Sequence, residues 1–164
     1  MHLTKKIKYT AAAAAVILAE QIFAKYIAVG GAVPMFTFCF IIIAAMLEDE
    51  LSYTLTLSAA CGIVCDILAV HGIGTYTFTY TFAAWAVYEL HNKLFSSRLL
   101  FLECAVFVLT FLLQLIYFVL HMRDIGTDNF LSLLTSVMLA SALYNMVISL
   151  ILWPVFKNVF EKRR

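Results

Sequence analysis

Charge is scarce in this sequence. Asp, Glu, Lys and Arg make up 13% of its 164 residues, about half the usual share in a soluble domain. Proline occurs twice and glycine six times. Between the apolar runs there is no linker, no repeat and, apart from the alanines at 11–15, no low-complexity segment. These shortages leave no room for a soluble domain. The four cysteines, at 39, 61, 65 and 104, include no Cys-x-x-Cys pair, so neither a zinc site nor a redox motif is indicated. All four lie in apolar runs and read as small apolar filler. Histidines 2, 71, 91 and 121 offer no metal-ligand spacing, and no nucleophile elbow or phosphate-binding loop occurs. An intramembrane protease would want a serine or paired aspartates with an activating neighbour, and Asp66 has no second aspartate at its depth. No catalysis, cofactor, metal or nucleic-acid partner is expected.

What the chain has is apolar length. Hydrophobic residues account for 64% of it, and the mean hydropathy is +0.97. Six membrane segments are expected, over residues 9–29, 33–47, 51–70, 74–90, 99–121 and 130–154. The start resembles a signal peptide, but apolar character resumes after Glu20, so it reads as an uncleaved first helix. Pro34 opens the second segment near a first-turn position that proline tolerates. That segment is short for a crossing. "TYTFTYTF", residues 75–82, alternates like a strand. A lone strand in lipid would leave its backbone unpaired, so a helix is expected there, with threonine hydroxyls bonding back to the preceding turn. Lys5, Lys6, Lys8, Lys93, Arg98, Lys157, Lys162, Arg163 and Arg164 fall on one side, against Arg123 on the other and Lys25 within its helix. The bias places both termini in the cytoplasm. The whole chain, 1–164, reads as a single all-α integral membrane domain of six transmembrane helices.

Polar residues inside the bilayer are costly and need partners. Asp66 shares a helical face with Ser58 and Gly62, and small residues at that spacing admit a neighbouring helix. Asp66 is therefore expected to point at protein. Lys25, at matching depth on the first helix, is its candidate partner, with a lone snorkelling lysine as the alternative. Glu20 has no obvious mate. Ser141, Asn145 and Ser149, at steps of four, form a polar stripe expected to face the bundle interior for helix–helix hydrogen bonding, and Gln114 reads the same way.

The order of these features resembles the MreD family of bacterial rod-shape-determining membrane proteins. The resemblance covers nearly the whole chain. It rests on the "GGAVP" turn into the second helix, with its Pro34, then on "GIVCDILAVHGIGTYTFTY", which carries Gly62, Asp66, Gly72 and Gly74, and on the closing "LYNMVISLILWPVF" with Tyr144 and Asn145. Cys65 stands where the family often has a glycine before the aspartate.

The resemblance implies a non-enzymatic scaffold of the cell-elongation complex in the bacterial cytoplasmic membrane. Its implied partners are MreC, MreB filaments, the RodA glycosyltransferase and a class B penicillin-binding protein. It also implies a small bundle similar to the substrate-binding subunits of energy-coupling-factor transporters. A vitamin-binding subunit of such a transporter is the alternative function, although only "MRDIGTDN" among the outer loops is well supplied with polar groups. Partners are expected to meet this protein mostly within the bilayer; either Asp66 and the Gly72-x-Gly74 turn shape the outer half, where the MreC helix enters the extracytoplasmic space, or Asp66 serves only to stabilise the fold.

Overall fold

An apolar run that leaves water must satisfy its own backbone, and a helix does so within one segment. The computed structural model describes residues 2–28, 32–69, 74–94, 98–120 and 137–160, with side chains outside 2–4, 92–94 and 120. These residues form six helices: α1 His2–Phe23, α2 Phe36–Leu47, α3 Leu51–Leu68, α4 Thr75–Leu94, α5 Arg98–Leu120 and α6 Leu139–Phe160. Among the described residues, three helices are long and apolar enough to cross a membrane, over Leu51–Leu68, Arg98–Val119 and Leu139–Phe160, at mean hydropathies of 1.6, 2.5 and 1.8. Phe36–Leu47 is apolar but shorter.

The "TYTFTYTF" stretch lies within α4. The Thr81 hydroxyl donates to the Thr77 carbonyl at 2.7 Å, and Thr79 makes the same back-bond to Thr75. Several bounds differ from expectation: α1 ends at Phe23 rather than 29, α2 starts at Phe36 rather than 33 and α4 ends at Leu94 rather than 90, and two further bounds differ for physical reasons. The first helix starts at His2 rather than 9, because its lysines are held at the start of α3. Lys6 Nζ lies 2.7 Å from Glu50, and the Tyr53 hydroxyl donates to the Lys6 carbonyl at 2.8 Å. The hydrogen bond to Glu50 holds the Lys6 ammonium above its ordinary value. The sixth helix runs through Pro154 to Phe160 instead of stopping at 154. A proline removes one donor, and aromatic packing beyond it holds the last turns. Phe156 packs on Phe40 at 4.9 Å, and Phe160 stacks on Tyr9 at 3.8 Å between ring centroids.

The short α2 is the core. Thr37 to Met46 are all buried, and α2 touches each of the other five helices. A helix apolar on every side belongs inside protein. Its 12 residues rise roughly 18 Å, well short of a 30 Å hydrocarbon layer, so both its ends are met by other helices. At its C-terminal end Lys5 Nζ reaches the Leu47 carbonyl at 3.5 Å and Glu48 at 3.3 Å. A cation there suits the helix dipole. The Tyr88 hydroxyl closes on the Asp49 carbonyl at 2.6 Å. The starts of α1 and α3 and the ends of α2, α4 and α6 thus gather at one end of the bundle, called here the basic end.

Candidate functional site

The opposite end poses a backbone problem. The first N–H groups of a helix have no partner within it, and α2 and α4 both start there. Neither α2's N-cap residue, Met35, nor any side chain of its own turn caps it. Pro34, buried, stands one residue before that N-cap, just outside the first turn. The donors are met instead from two other helices. Met35 N–H donates to Asn145 Oδ1 of α6 at 2.9 Å, and Thr37 N–H donates to Glu20 Oε2 of α1 at 2.6 Å. Glu20, which had no mate in the sequence, thus caps a helix across the bundle.

Asn145 is fully buried and holds three helices together. Besides Met35 it reaches Thr110 of α5 through Nδ2 at 3.5 Å, and its carbonyl accepts the Cys39 thiol of α2 at 3.5 Å. Its neighbour Tyr144 donates through its hydroxyl to the Ile27 carbonyl at 2.7 Å, joining α6 to the chain after α1. Ser141 and Ser149 are also fully buried, so the stripe faces inward. Gln114 is half-buried.

The start of α4 repeats the device. Asp66 Oδ1 accepts from Tyr76 N–H at 2.9 Å, and Oδ2 accepts from Thr77 N–H at 3.0 Å and the Thr77 hydroxyl at 2.6 Å. A carboxylate at a helix start is favoured by both charge-assisted bonding and the helix dipole. Two glycines make the approach possible. A Cβ on Gly62, one turn before Asp66, would lie 2.4 Å from Thr77 Cα and 2.9 Å from the Tyr76 carbonyl oxygen. Gly74 turns the chain into α4 at φ +98°, where side chains are rarely tolerated. Gly72 lies outside the described residues.

The expected Lys25–Asp66 pair does not form. Asp66 is 6% exposed and is served by α4's own donors, whereas the Lys25 ammonium lies 4.9 Å from the Tyr26 ring centroid. Lys25 and Tyr26 are both exposed. Missing from the sequence-level candidates is Glu103 of α5, whose Oε1 accepts from the Ser149 hydroxyl at 2.8 Å. Its signal was an acid inside an apolar run, the same kind that marked Asp66.

Asp66 also borders a groove of about 700 Å³ on the outside of the α3–α4 pair, with Ile63, Ile67, Thr77, Phe78 and Thr81 along its walls. Ile67 and Phe78 are 76% and 66% exposed. The Thr77 and Thr81 hydroxyls are both engaged within the hairpin, so the groove offers shape and apolar surface. Its lining spans about seven residues of each helix, a run of roughly 10 Å. Among the described residues no three His, Cys, Asp or Glu side chains gather as a metal site would require.

The sequence model of one family, described as rod shape-determining protein MreD, matches residues 9–163. No curated protein and no solved structure matches the chain significantly.

Proposed function

The chain belongs to the MreD family of rod shape-determining proteins, and from that membership we propose that it is a non-enzymatic membrane scaffold of the cell-elongation complex. The six helices lie in the cytoplasmic membrane, the short α2 enclosed by the other five, as a small bundle like that of energy-coupling-factor substrate-binding subunits. The basic end faces the cytoplasm with both termini, and α2 and α4 begin in the outer half. The protein binds MreC and links MreB to peptidoglycan synthesis by RodA and its class B penicillin-binding protein.

One observation supports the partner site best: the groove beside Asp66. Helices associate in lipid through close packing rather than hydrophobicity. A partner helix therefore needs a rigid, shaped surface, and here the Asp66 cap and the Gly62 contact fix one beside the groove. The MreC transmembrane helix is the proposed occupant. Among the described residues no observation favours the vitamin-binding alternative, and its best-supplied loop, "MRDIGTDN", lies outside them.

The test is affinity capture of the tagged protein from native membranes in mild detergent. Recovery of MreC and RodA is expected. Ile67→Trp or Phe78→Ala, which alter the groove without touching the cap, should reduce MreC recovery at unchanged abundance, whereas Val155→Trp on another exposed face should not. Recovery of paired ATPases with a membrane scaffold in place of MreC would sink the proposal.

A further inference from the structure

α1 is fastened at its two ends. Near its start, Lys6 Nζ lies 2.7 Å from Glu50, the N-cap of α3, and the Lys6 carbonyl accepts the Tyr53 hydroxyl of α3 at 2.8 Å. The Thr10 and Tyr53 hydroxyls meet at 3.1 Å, and Lys5 reaches the end of α2. At the far end Glu20 holds the Thr37 N–H at the start of α2. Between them residues 11–19 are all Ala, Val, Ile or Leu, so no side chain there can hydrogen-bond or form an ion pair. Of these, Ala13, Val16 and Ile17 are buried, and an alanine ridge is shallow, so it resists sliding along a neighbouring helix only weakly.

The two fastenings share one stiff body. From Lys6 to Glu20 the helix rises roughly 21 Å, with no proline or glycine to bend it. A hydrogen bond tolerates only about half an ångström of stretch. The axial position that satisfies Lys6 at one end is therefore the one that lets Glu20 reach Thr37 at the other. The Lys6 and Glu50 side chains are 33% and 45% exposed, so charged groups in solution at the basic end can compete for the first contact. The Glu20–Thr37 contact lies in the opposite half of the bundle.

We propose that α1 is a strut that couples the charged contacts of the basic end to the cap on the central helix, so that loosening the start of α1 loosens the Thr37 N–H. This rests on the fold and on neither the family nor MreC. Amide hydrogen exchange of the full chain in one detergent, read by mass spectrometry, tests it. Glu20→Ala, which removes the cap, sets the scale for faster exchange in the peptide 35–40. Lys6→Gln with Tyr53→Phe frees the start of α1 from α3 without touching α2. It should speed exchange of that peptide several-fold, with α5 and α6 peptides at wild-type rates, and Lys6→Gln alone should act in the same direction. Tyr88→Phe frees the Asp49 carbonyl from α4 and should leave 35–40 unchanged, because it does not touch α1. In a chain softened by Ala12→Gly and Ala14→Gly, adding Lys6→Gln should no longer reach 35–40. The proposal is overturned by exchange at 35–40 that is unchanged in both Lys6 variants, raised as much by Tyr88→Phe, still raised by Lys6→Gln across the glycines, or raised equally in α5 and α6.

Discussion

Removing the Asp66 carboxylate tests the logic of this bundle most directly. In Asp66→Ala, two backbone N–H groups and one hydroxyl on α4 lose their acceptor. The hydroxyl can turn to a helix carbonyl, but the two N–H groups, on the second and third residues of α4, have no intrahelical partner. At about 1–3 kcal/mol for each buried unsatisfied group, the expected loss is about 2–6 kcal/mol. Asp66→Asn should fall between. Its oxygen still accepts from one N–H and its amide can donate to the Thr77 hydroxyl, but the other N–H faces an NH₂ group, so the expected loss is about 1–3 kcal/mol. At roughly 2–4 °C per kcal/mol for a chain of this size, Asn lowers the midpoint by a few degrees and Ala by about twice that. The assay is thermal unfolding of the purified protein in one detergent, with a double-mutant cycle against Thr77→Val. Because Val removes only the hydroxyl, the Asp66→Ala/Thr77→Val pair should be less than additive by about 1 kcal/mol. If Asp66→Ala unfolds at the wild-type temperature, the capping account is wrong and Asp66 must be explained by a partner.

The two glycines should separate by mechanism. Gly62→Ala forces α4 outward and should cost about 1–3 kcal/mol as overpacking, whereas Gly74→Ala meets open space and should cost only its backbone strain, about 1–2 kcal/mol; thermal midpoints of the two variants check the order. Asn145→Leu leaves the Met35 N–H without its acceptor inside the bundle and should lower stability by about 1–3 kcal/mol, read by the same melt. Lys25→Ala should stay within about 0.5 kcal/mol, and a loss as large as that of Asp66→Asn would revive the ion pair.

The helices were legible because apolar length and the cost of unpaired backbone point the same way in lipid. That agreement is why the period-two pattern at 75–82 could be overruled. Positions with a bulk or polarity mismatch were legible too: Asp66, Gly62, Glu20 and Asn145 all stand out against apolar neighbours. Their partners were not. Depth matching sets Lys25 beside Asp66, because charge is what a sequence displays. The acceptors' true partners are backbone N–H groups, which every residue except proline has and which no letter marks. They become partners only where a helix starts beside the right side chain. The ends of α1 and α6 were missed for a related reason. Hydropathy marks where a bilayer ends, while the helix goes on for as long as contacts such as Tyr9 on Phe160 hold it.

Glu20 and Asp66 serve one architectural need. A helix that starts inside a membrane protein cannot turn to water for its first donors, and an N-cap of its own could satisfy only some of them. In each of the pairs α1–α2 and α3–α4, the first helix supplies a carboxylate to the start of the second. The carboxylate thereby acquires donors it would lack in lipid, and the helix start acquires an acceptor. Each therefore lowers the cost of burying the other, and neither is satisfied until the two helices dock. For α2 the dependence is stronger, since its 12 residues are too few to span alone and its start also needs Asn145 from α6. The central helix is thus completed only after the last helix has arrived. Assembly of the core waits on the whole chain, and so does the rigid face that the α3–α4 pair turns toward the bilayer.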